Sequence, residues 1–285
     1  MSVLPVVRGL PRPGRTLVMG VLNVTPDSFS DGGRWFDPDA AVAHGLALVA
    51  EGADLVDVGG ESTRPGADRP RTPEELRRVL PVVQALVAAG AVVSVDTMRA
   101  EVAAAAVGAG AALVNDVSGG LAEPEMLSTV ADLDVPYVCM HWRGHAQVMQ
   151  DLTRYDDVVT DVAAELGARV AAARSAGIAA DHLVVDAGFG FAKTAEHNWE
   201  LLRRLEELDA LGVPQLVGVS RKRFLGTLLP DEQDQPRPPG GRDDATTALT
   251  TLLAWRGVWG VRVHSVRASR DAVAVVQRLQ STGPA

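Results

Sequence analysis

Cysteine is almost absent from this chain: Cys139 is the only one in 285 residues. That excludes a disulfide framework and a cysteine-built zinc site. No run approaches the ~18 apolar residues of a membrane-spanning helix, and no basic-then-apolar leader pattern opens the sequence. Positive charge is not in excess either. The formal net charge is −9, which argues against nucleic acid or an anionic membrane surface as the main partner. A soluble cytoplasmic protein is expected, with no nucleic-acid or membrane partner. A phosphorylated small molecule stays compatible, provided that basic residues cluster locally. Also missing is a Gly-x-Gly-x-x-Gly fingerprint after an early strand. The nearest stretch, Gly188-Phe189-Gly190-Phe191, comes late and lacks the third glycine, which disfavours a doubly wound dinucleotide-binding sheet.

What is present is a repeat of one unit. An apolar run over residues 17–22 breaks at Asn23 into turn chemistry (Thr25-Pro26-Asp27, Ser30-Asp31, Gly32-Gly33) that also carries Phe29. Asp37-Pro38 then supplies an N-cap and first-turn pair for a helix reaching residue 50. Further apolar runs follow at 55–58, 92–95, 112–114, 137–140, 183–185, 215–219 and 261–263. Between them lie helical patterns at 72–89 (with Thr72 as cap), 99–107, 124–131, 155–176, 195–211, 246–255 and 269–279. Continuous apolar runs suit parallel strands buried on both faces. Eight such units predict a single-domain α/β protein over residues 1–285, a (β/α)8 TIM barrel. Residues 1–16, rich in Pro and Arg, form an N-terminal extension, and the polar Pro/Gly-rich stretch 230–242 is expected to be a flexible, solvated loop.

A barrel brings all its strand carboxyl ends to one mouth. Here those ends carry Asn23, Glu61 with Thr63 and Arg64, Asp96, Asn115, His141, Asp186, Ser220 with Lys222, and Arg262 with His264. Asp116 and His141 are the best candidates for purely structural roles. Asp96, Asn115 and Asp186 suit a flat heterocycle with a guanidine-like edge. Arg64, Lys222, Arg262 and His264 form a basic cluster suited to phosphate or pyrophosphate. Asn23 offers an oxygen for a Mg²⁺ bridging that anion. His141 and His145, four apart, are disfavoured as a zinc pair because no helix is assured there. Together these groups suggest a heterocycle carrying a pyrophosphate leaving group, with the loops 24–36 and 60–71 closing over it.

The segments 23–33 and 57–66, with Ser94-Val95-Asp96-Thr97, Asn115-Asp116, residues 186–193, Ser220-Arg221-Lys222 and Arg262-Val263-His264, strongly resemble the dihydropteroate synthase family over essentially the whole chain. Residues 96–99 and 220–226 look most like its actinobacterial branch. The resemblance implies a transferase of folate biosynthesis. It joins 6-hydroxymethyl-7,8-dihydropterin diphosphate to 4-aminobenzoate, giving 7,8-dihydropteroate and pyrophosphate, with Mg²⁺. It further implies that Asp96, Asn115, Asp186 and Lys222 hold the pterin, and that Asn23, Thr63, Arg64, Arg262 and His264 hold the diphosphate, Asn23 also serving the metal. Phe29, Thr63, Pro65, Phe191, Ser220 and Lys222 would shape the 4-aminobenzoate site, where sulfonamides compete. Lys222, Arg262, His264 and Asp96 would act in the chemical step, and the protein would be a homodimer through helices.

Three positions depart from the family pattern: Ala187 and Ala192 where Pro and Gly are common, and Ser265 where Asp is usual. Ala192 is expected to exclude backbone conformations that glycine reaches easily. A catalytically silent pterin-binding paralogue is one alternative. A corrinoid-linked methyltetrahydrofolate methyltransferase is another, disfavoured because it needs no diphosphate pocket. Arg262→Ala is expected to spare plain pterin binding and weaken binding of the diphosphate.

Overall fold

The computed structural model describes residues 4–25, 37–62, 69–145 and 149–281. Among them are eight strands: β1 (Leu17–Asn23), β2 (Leu55–Gly59), β3 (Val93–Asp96), β4 (Leu113–Asp116), β5 (Tyr137–Met140), β6 (Leu183–Asp186), β7 (Leu216–Val217) and β8 (Gly260–Val263). Each pairs in parallel with its sequence neighbour from β1 to β6, and β8 pairs with both β1 and β7. A parallel bridge between Val185 and Gln215 joins β6 to the β7 side and closes the ring. The helices are α1 (Pro38–Ala50), α2 (Thr72–Ala88), α3 (Ala100–Gly108), α4 (Met126–Leu133), α5 (Val158–Ser175), α6 (Ala195–Arg203), α7 (Arg223–Leu228), α8 (Asp243–Arg256) and α9 (Val266–Gln280). The expected (β/α)8 barrel is the observed one.

Side-chain alternation explains the interior. Val18, Val56, Val95, Val114, Val185 and Val261 point outward and pack beneath the helices. Leu17, Met19, Leu55, Leu113, Val138, Val184 and Leu216 point inward as an apolar plug at the amino ends of the strands. Val7 and Leu10 of the N-terminal segment join that plug from below. Each fully buried side chain of this kind stabilises the fold by about 1.5–3 kcal/mol. Following the inward parity toward the carboxyl ends gives Asn23, Asp57, Asp96, Asn115, Asp186 and Arg262. The plug thus forms the floor on which the polar ring stands.

Local chemistry accounts for most boundaries. The Asp37 carboxylate accepts the Asp39 N–H at the start of α1, as its Asp-Pro signature predicts. Four expectations are corrected. Thr72 is the first residue of α2 and not its cap; Arg71 precedes it. The expected helix over 195–211 is α6 followed by a tighter 3₁₀ stretch, Leu205–Leu211, that ends on a left-handed Gly212. The short helix α7 was not expected. The segment 230–242 is mostly exposed, but it is not a featureless loop. It ends in a 3₁₀ turn, Pro239–Arg242, and the buried Arg242 donates to the Arg237 and Arg221 carbonyls at 2.6 and 2.7 Å.

Ala192 supplies a fifth difference: it adopts φ +46°, inside the left-handed region. The Tyr155 hydroxyl donates to its carbonyl at 3.0 Å and helps to hold it there. A β-carbon in that region is strained. Ala192→Gly is therefore expected to stabilise the protein by about 0.5–1 kcal/mol, measured by urea unfolding. A destabilised glycine variant would show that the strain is already relieved.

Candidate active site

Two buried carboxylates share one arginine at the mouth. Arg262, inward on β8, donates from Nε to Asp57 Oδ2 at 2.6 Å and from Nη2 to Asp96 Oδ2 at 2.8 Å. Asn115 Nδ2 donates to the same Asp57 oxygen at 3.0 Å. Burial pushes the Asp96 carboxyl above the usual carboxylate range, with Arg262 opposing and Asp57, Glu75 and Glu61 adding to the rise. Burial likewise opposes the charge on Arg262, but the facing carboxylates of Asp57 and Asp96 outweigh it. Asp96 and Asn115 from the acceptor group and Arg262 from the basic group of the sequence therefore meet in one cluster around Asp57.

Asp186 ends β6. Its Oδ1 accepts the Gly188 N–H at 2.7 Å, while Oδ2 lies 3.4 Å from the point that a β-carbon on Gly218 would occupy. Burial raises its pKa, against the Gly188 bond and the charges of Lys222, Arg262 and Lys193. Lys222 sits nearby with Nζ 4.1 Å above the Phe191 ring. Burial and the neighbouring Arg262 bring it down to about 8, with Asp186 and Asp96 resisting. Phe191 rests on the apolar cluster of Met98, Val117 and Met140. Ser220 Oγ lies 2.9 Å from His264 Nδ1 and accepts the His264 main-chain N–H at 3.2 Å. The hydroxyl hydrogen is then free to go to Nδ1, which leaves Nε2 as the donor. Burial and the charges of Arg221, Arg262 and Lys222 keep that ring neutral.

Residues of the opposite parity serve the scaffold. Asp116 accepts from the Ser118 and Gly120 main chain and from the Tyr137 hydroxyl. His141 faces α5, with Nε2 2.9 Å from Glu165 and Nδ1 2.9 Å from Lys193 Nζ. Both His141 nitrogens are thus committed, so it forms no metal pair with His145, whose ring packs edge-on against Trp142. Among the described residues no three His, Cys, Asp or Glu side chains cluster as a metal cage.

Phe29, Thr63, Arg64 and Pro65 lie outside the described residues, as do most of the loop 24–36 and half of the loop 60–71 that are expected to close over the mouth. The flanks of the second loop are fastened. Arg99 bridges Glu61 and Glu75 and donates to the Pro70 carbonyl at 2.6 Å, while Arg69 pairs with Glu61 at 2.9 Å. At the end of β1, Asn23 Oδ1 and Asp96 Oδ2 both lie 3.6 Å from the point that a β-carbon on Gly59 would occupy. This glycine keeps a small oxygen-lined cradle open.

Two residues of this region escaped the sequence reading. Asp57 sits inside an apolar run and looks like any interruption of it until the register turns it inward. Lys193 left one usable signal: the chain holds 27 Lys and Arg residues, and only Lys193 and Lys222 are lysine.

Residues 19–264 match the family described as pterin binding enzyme. The chain is 56% identical over 268 residues to the dihydropteroate synthase of Mycobacterium leprae (strain TN), covering 94% of each chain. Its structure is similar to that of Xanthomonas albilineans dihydropteroate synthase with 4-aminobenzoic acid, at 49% identity, TM-score 0.86 and 94% coverage of both chains. It is also similar to the dihydropteroate synthase from Xanthomonas albilineans in complex with 7,8-dihydropteroate, at 46% identity and TM-score 0.82, covering 94% of this chain and 95% of that one.

Proposed function

This chain belongs to the pterin-binding enzyme family, among the dihydropteroate synthases, and from that premise we propose how its mouth carries out the reaction. The enzyme is a transferase. It condenses 6-hydroxymethyl-7,8-dihydropterin diphosphate with 4-aminobenzoate to give 7,8-dihydropteroate and pyrophosphate. The observation that carries the reading is that Asp96, Asn115 and Asp186 share one mouth with Arg262, Lys222 and the Ser220–His264 pair.

Asp186 Oδ2 takes the guanidine-like edge of the pterin, and Asn115 and Asp96 bind the ring further round. Lys222, the remaining N–H groups of Arg262 and the His264 Nε2 donor face the diphosphate. The carbon–oxygen bond from the pterin methylene to the diphosphate breaks as the arylamine nitrogen bonds to that carbon and gives up a proton. The amine is already neutral, so the residues mainly stabilise the departing anion and align the nucleophile. Phe191, Ser220 and Lys222 line the place of 4-aminobenzoate. The family resemblance assigns Phe29, Thr63 and Pro65 to the same substrate, and Thr63 and Arg64 to the diphosphate.

Mg²⁺ fits the donors at the cradle above Gly59, because it favours oxygen ligands and takes only one or two from a protein when phosphates supply others. Asn23 would hold it. Such an ion would neutralise charge on the diphosphate. A homodimer is supported by Leu252 and Trp255 on α8 and Val275 and Leu279 on α9, large apolar side chains left exposed on adjoining helices. Sedimentation at micromolar concentration would show it as twice the chain mass. No helix among the described residues is long and apolar enough to cross a membrane, in keeping with action in the cytoplasm.

Lys222 gives a test that reads the anion pocket. Its folded pKa lies below that of a free lysine, so it carries less than a full proton near pH 8.5. A bound diphosphate anion favours the charged form and raises that pKa. Binding of the diphosphate substrate at pH 8.5 is therefore expected to take up protons, seen as a calorimetric enthalpy that depends on the buffer. Uptake should vanish in Lys222→Met. No uptake by the native protein would remove Lys222 from the anion pocket. The activity itself is tested by product identity: 7,8-dihydropteroate must appear by mass from the two substrates.

A further inference from the structure

The two lysines lie on opposite sides of one loop, residues 188–192. Lys222 packs on its mouth side, where a β-carbon on Gly190 would come within 2.8 Å of Lys222 Cδ. Lys193 is buried on the other side. Its Nζ donates to the Gly188 carbonyl at 3.1 Å, the Phe191 carbonyl at 3.2 Å and His141 Nδ1 at 2.9 Å. When protonated, its nitrogen turns three donors to three acceptors, a pattern that the flat fork of arginine cannot reproduce from a single atom; burial brings its pKa down to about 7, with Asp186 resisting.

The remaining contacts form a circuit. Burial and the Lys193 charge lower the His141 pKa to about 4, so its ring is neutral. With Nδ1 accepting from Lys193, Nε2 carries the proton and donates to Glu165 at 2.9 Å. Arg143 pairs with the same Glu165 and stacks 3.8 Å over the Tyr155 ring. The Tyr155 hydroxyl then returns to the loop at the Ala192 carbonyl. Gly190 is held separately, its N–H donating to Asn198 Oδ1 at 2.7 Å. None of these groups beyond the loop itself faces the reacting atoms.

We infer that Lys193, oriented by His141 and Glu165, is a positioning residue for the second-substrate pocket, holding the 188–192 loop so that Phe191 stays against Lys222. The inference rests on the proposed placement of 4-aminobenzoate beside Phe191. It separates that pocket from the Asn115 and Asp96 contacts to the pterin, which are fixed by β2, β3, β4 and β8 without this circuit; Asp186 meets the loop only through the Gly188 N–H, while its position at the end of β6 is set by the barrel.

The experiment is steady-state kinetics on Lys193→Met and Tyr155→Phe, with plain pterin affinity measured by calorimetry on the same preparations. Loss of one buried donor is expected to raise KM for 4-aminobenzoate about tenfold in Lys193→Met, with kcat at saturation and pterin Kd within about twofold of the native values. Tyr155→Phe should raise the same KM by a smaller factor, and it decides the matter alone if the lysine variant does not fold. A merely structural role would lower the melting temperature and leave the ratio of KM to pterin Kd unchanged, which would overturn the inference. Equal losses for both ligands would overturn it too. If the native protein makes no 7,8-dihydropteroate, the proposed function falls and takes this inference with it. Product from the native enzyme with unchanged KM in the variants contradicts this inference alone.

Discussion

Asp186→Asn is expected to weaken pterin binding by about 10²-fold or more, with little change in the fold. The substitution separates two roles of one side chain. Oδ1 accepts the Gly188 N–H, and an asparagine oxygen in the same place keeps that bond and the loop behind it. Oδ2 is replaced by an amide NH₂, which turns a donor toward the N–H donors of the pterin edge. The charge-assisted hydrogen bonding at Oδ2, about 1.5–3 kcal/mol for each bond, is lost and replaced by a donor facing a donor. Thermal stability should hold or rise, because burial already penalises the Asp186 charge. Calorimetry with plain pterin measures the affinity, and an unchanged value would remove Asp186 from the pterin site.

The second large effect is on stability. Arg262→Met removes the cation shared by Asp57 and Asp96 and leaves two buried carboxylates facing each other. Breaking a buried pair in this way costs about 3–5 kcal/mol. Without the arginine, nothing offsets the burial that lifts Asp96, so its folded pKa stands further above its unfolded one. Between those values the folded state binds more protons than the unfolded chain, so stability rises as pH falls through that window. The deficit should therefore be large at pH 8 and smaller at pH 5 in urea unfolding. Asp57→Asn added to Arg262→Met should recover part of it. A deficit below about 1 kcal/mol at pH 8 would mean the cluster is not the buried ion pair described here. Because Asp96 loses its partner, plain pterin affinity is expected to fall as well. This differs from the clean separation of pterin and anion binding that the sequence suggests for Arg262→Ala.

The barrel was legible because its strands are short, apolar and regularly spaced; the run 137–140 is β5 residue for residue. Strand-end positions were legible too, since a polar residue that closes an apolar run stands out. Asp116 and His141, read from the sequence as candidates for structural roles, both point outward by strand parity and bond to the scaffold. Asp57 was not legible, because its role depends on the registers with Val21 and Ser94 that turn it into the barrel. Ala192 misled the reading in an instructive way. Backbone propensity disfavours a left-handed alanine, but contacts from Tyr155 and the surrounding turn override it. The circuit behind the loop is assembled from β5, α5 and the segment after β6, so no local pattern announces it.

The most direct measurement is a stoichiometric one: pyrophosphate and 7,8-dihydropteroate quantified together from purified protein, Mg²⁺ and the pterin diphosphate, with and without 4-aminobenzoate. Equal amounts of the two products, formed at a rate that requires the arylamine, are what a mouth built to expel the diphosphate and align the amine must give. Tight pterin binding with no pyrophosphate released in the presence of both substrates would contradict it and leave a pterin-binding barrel without turnover.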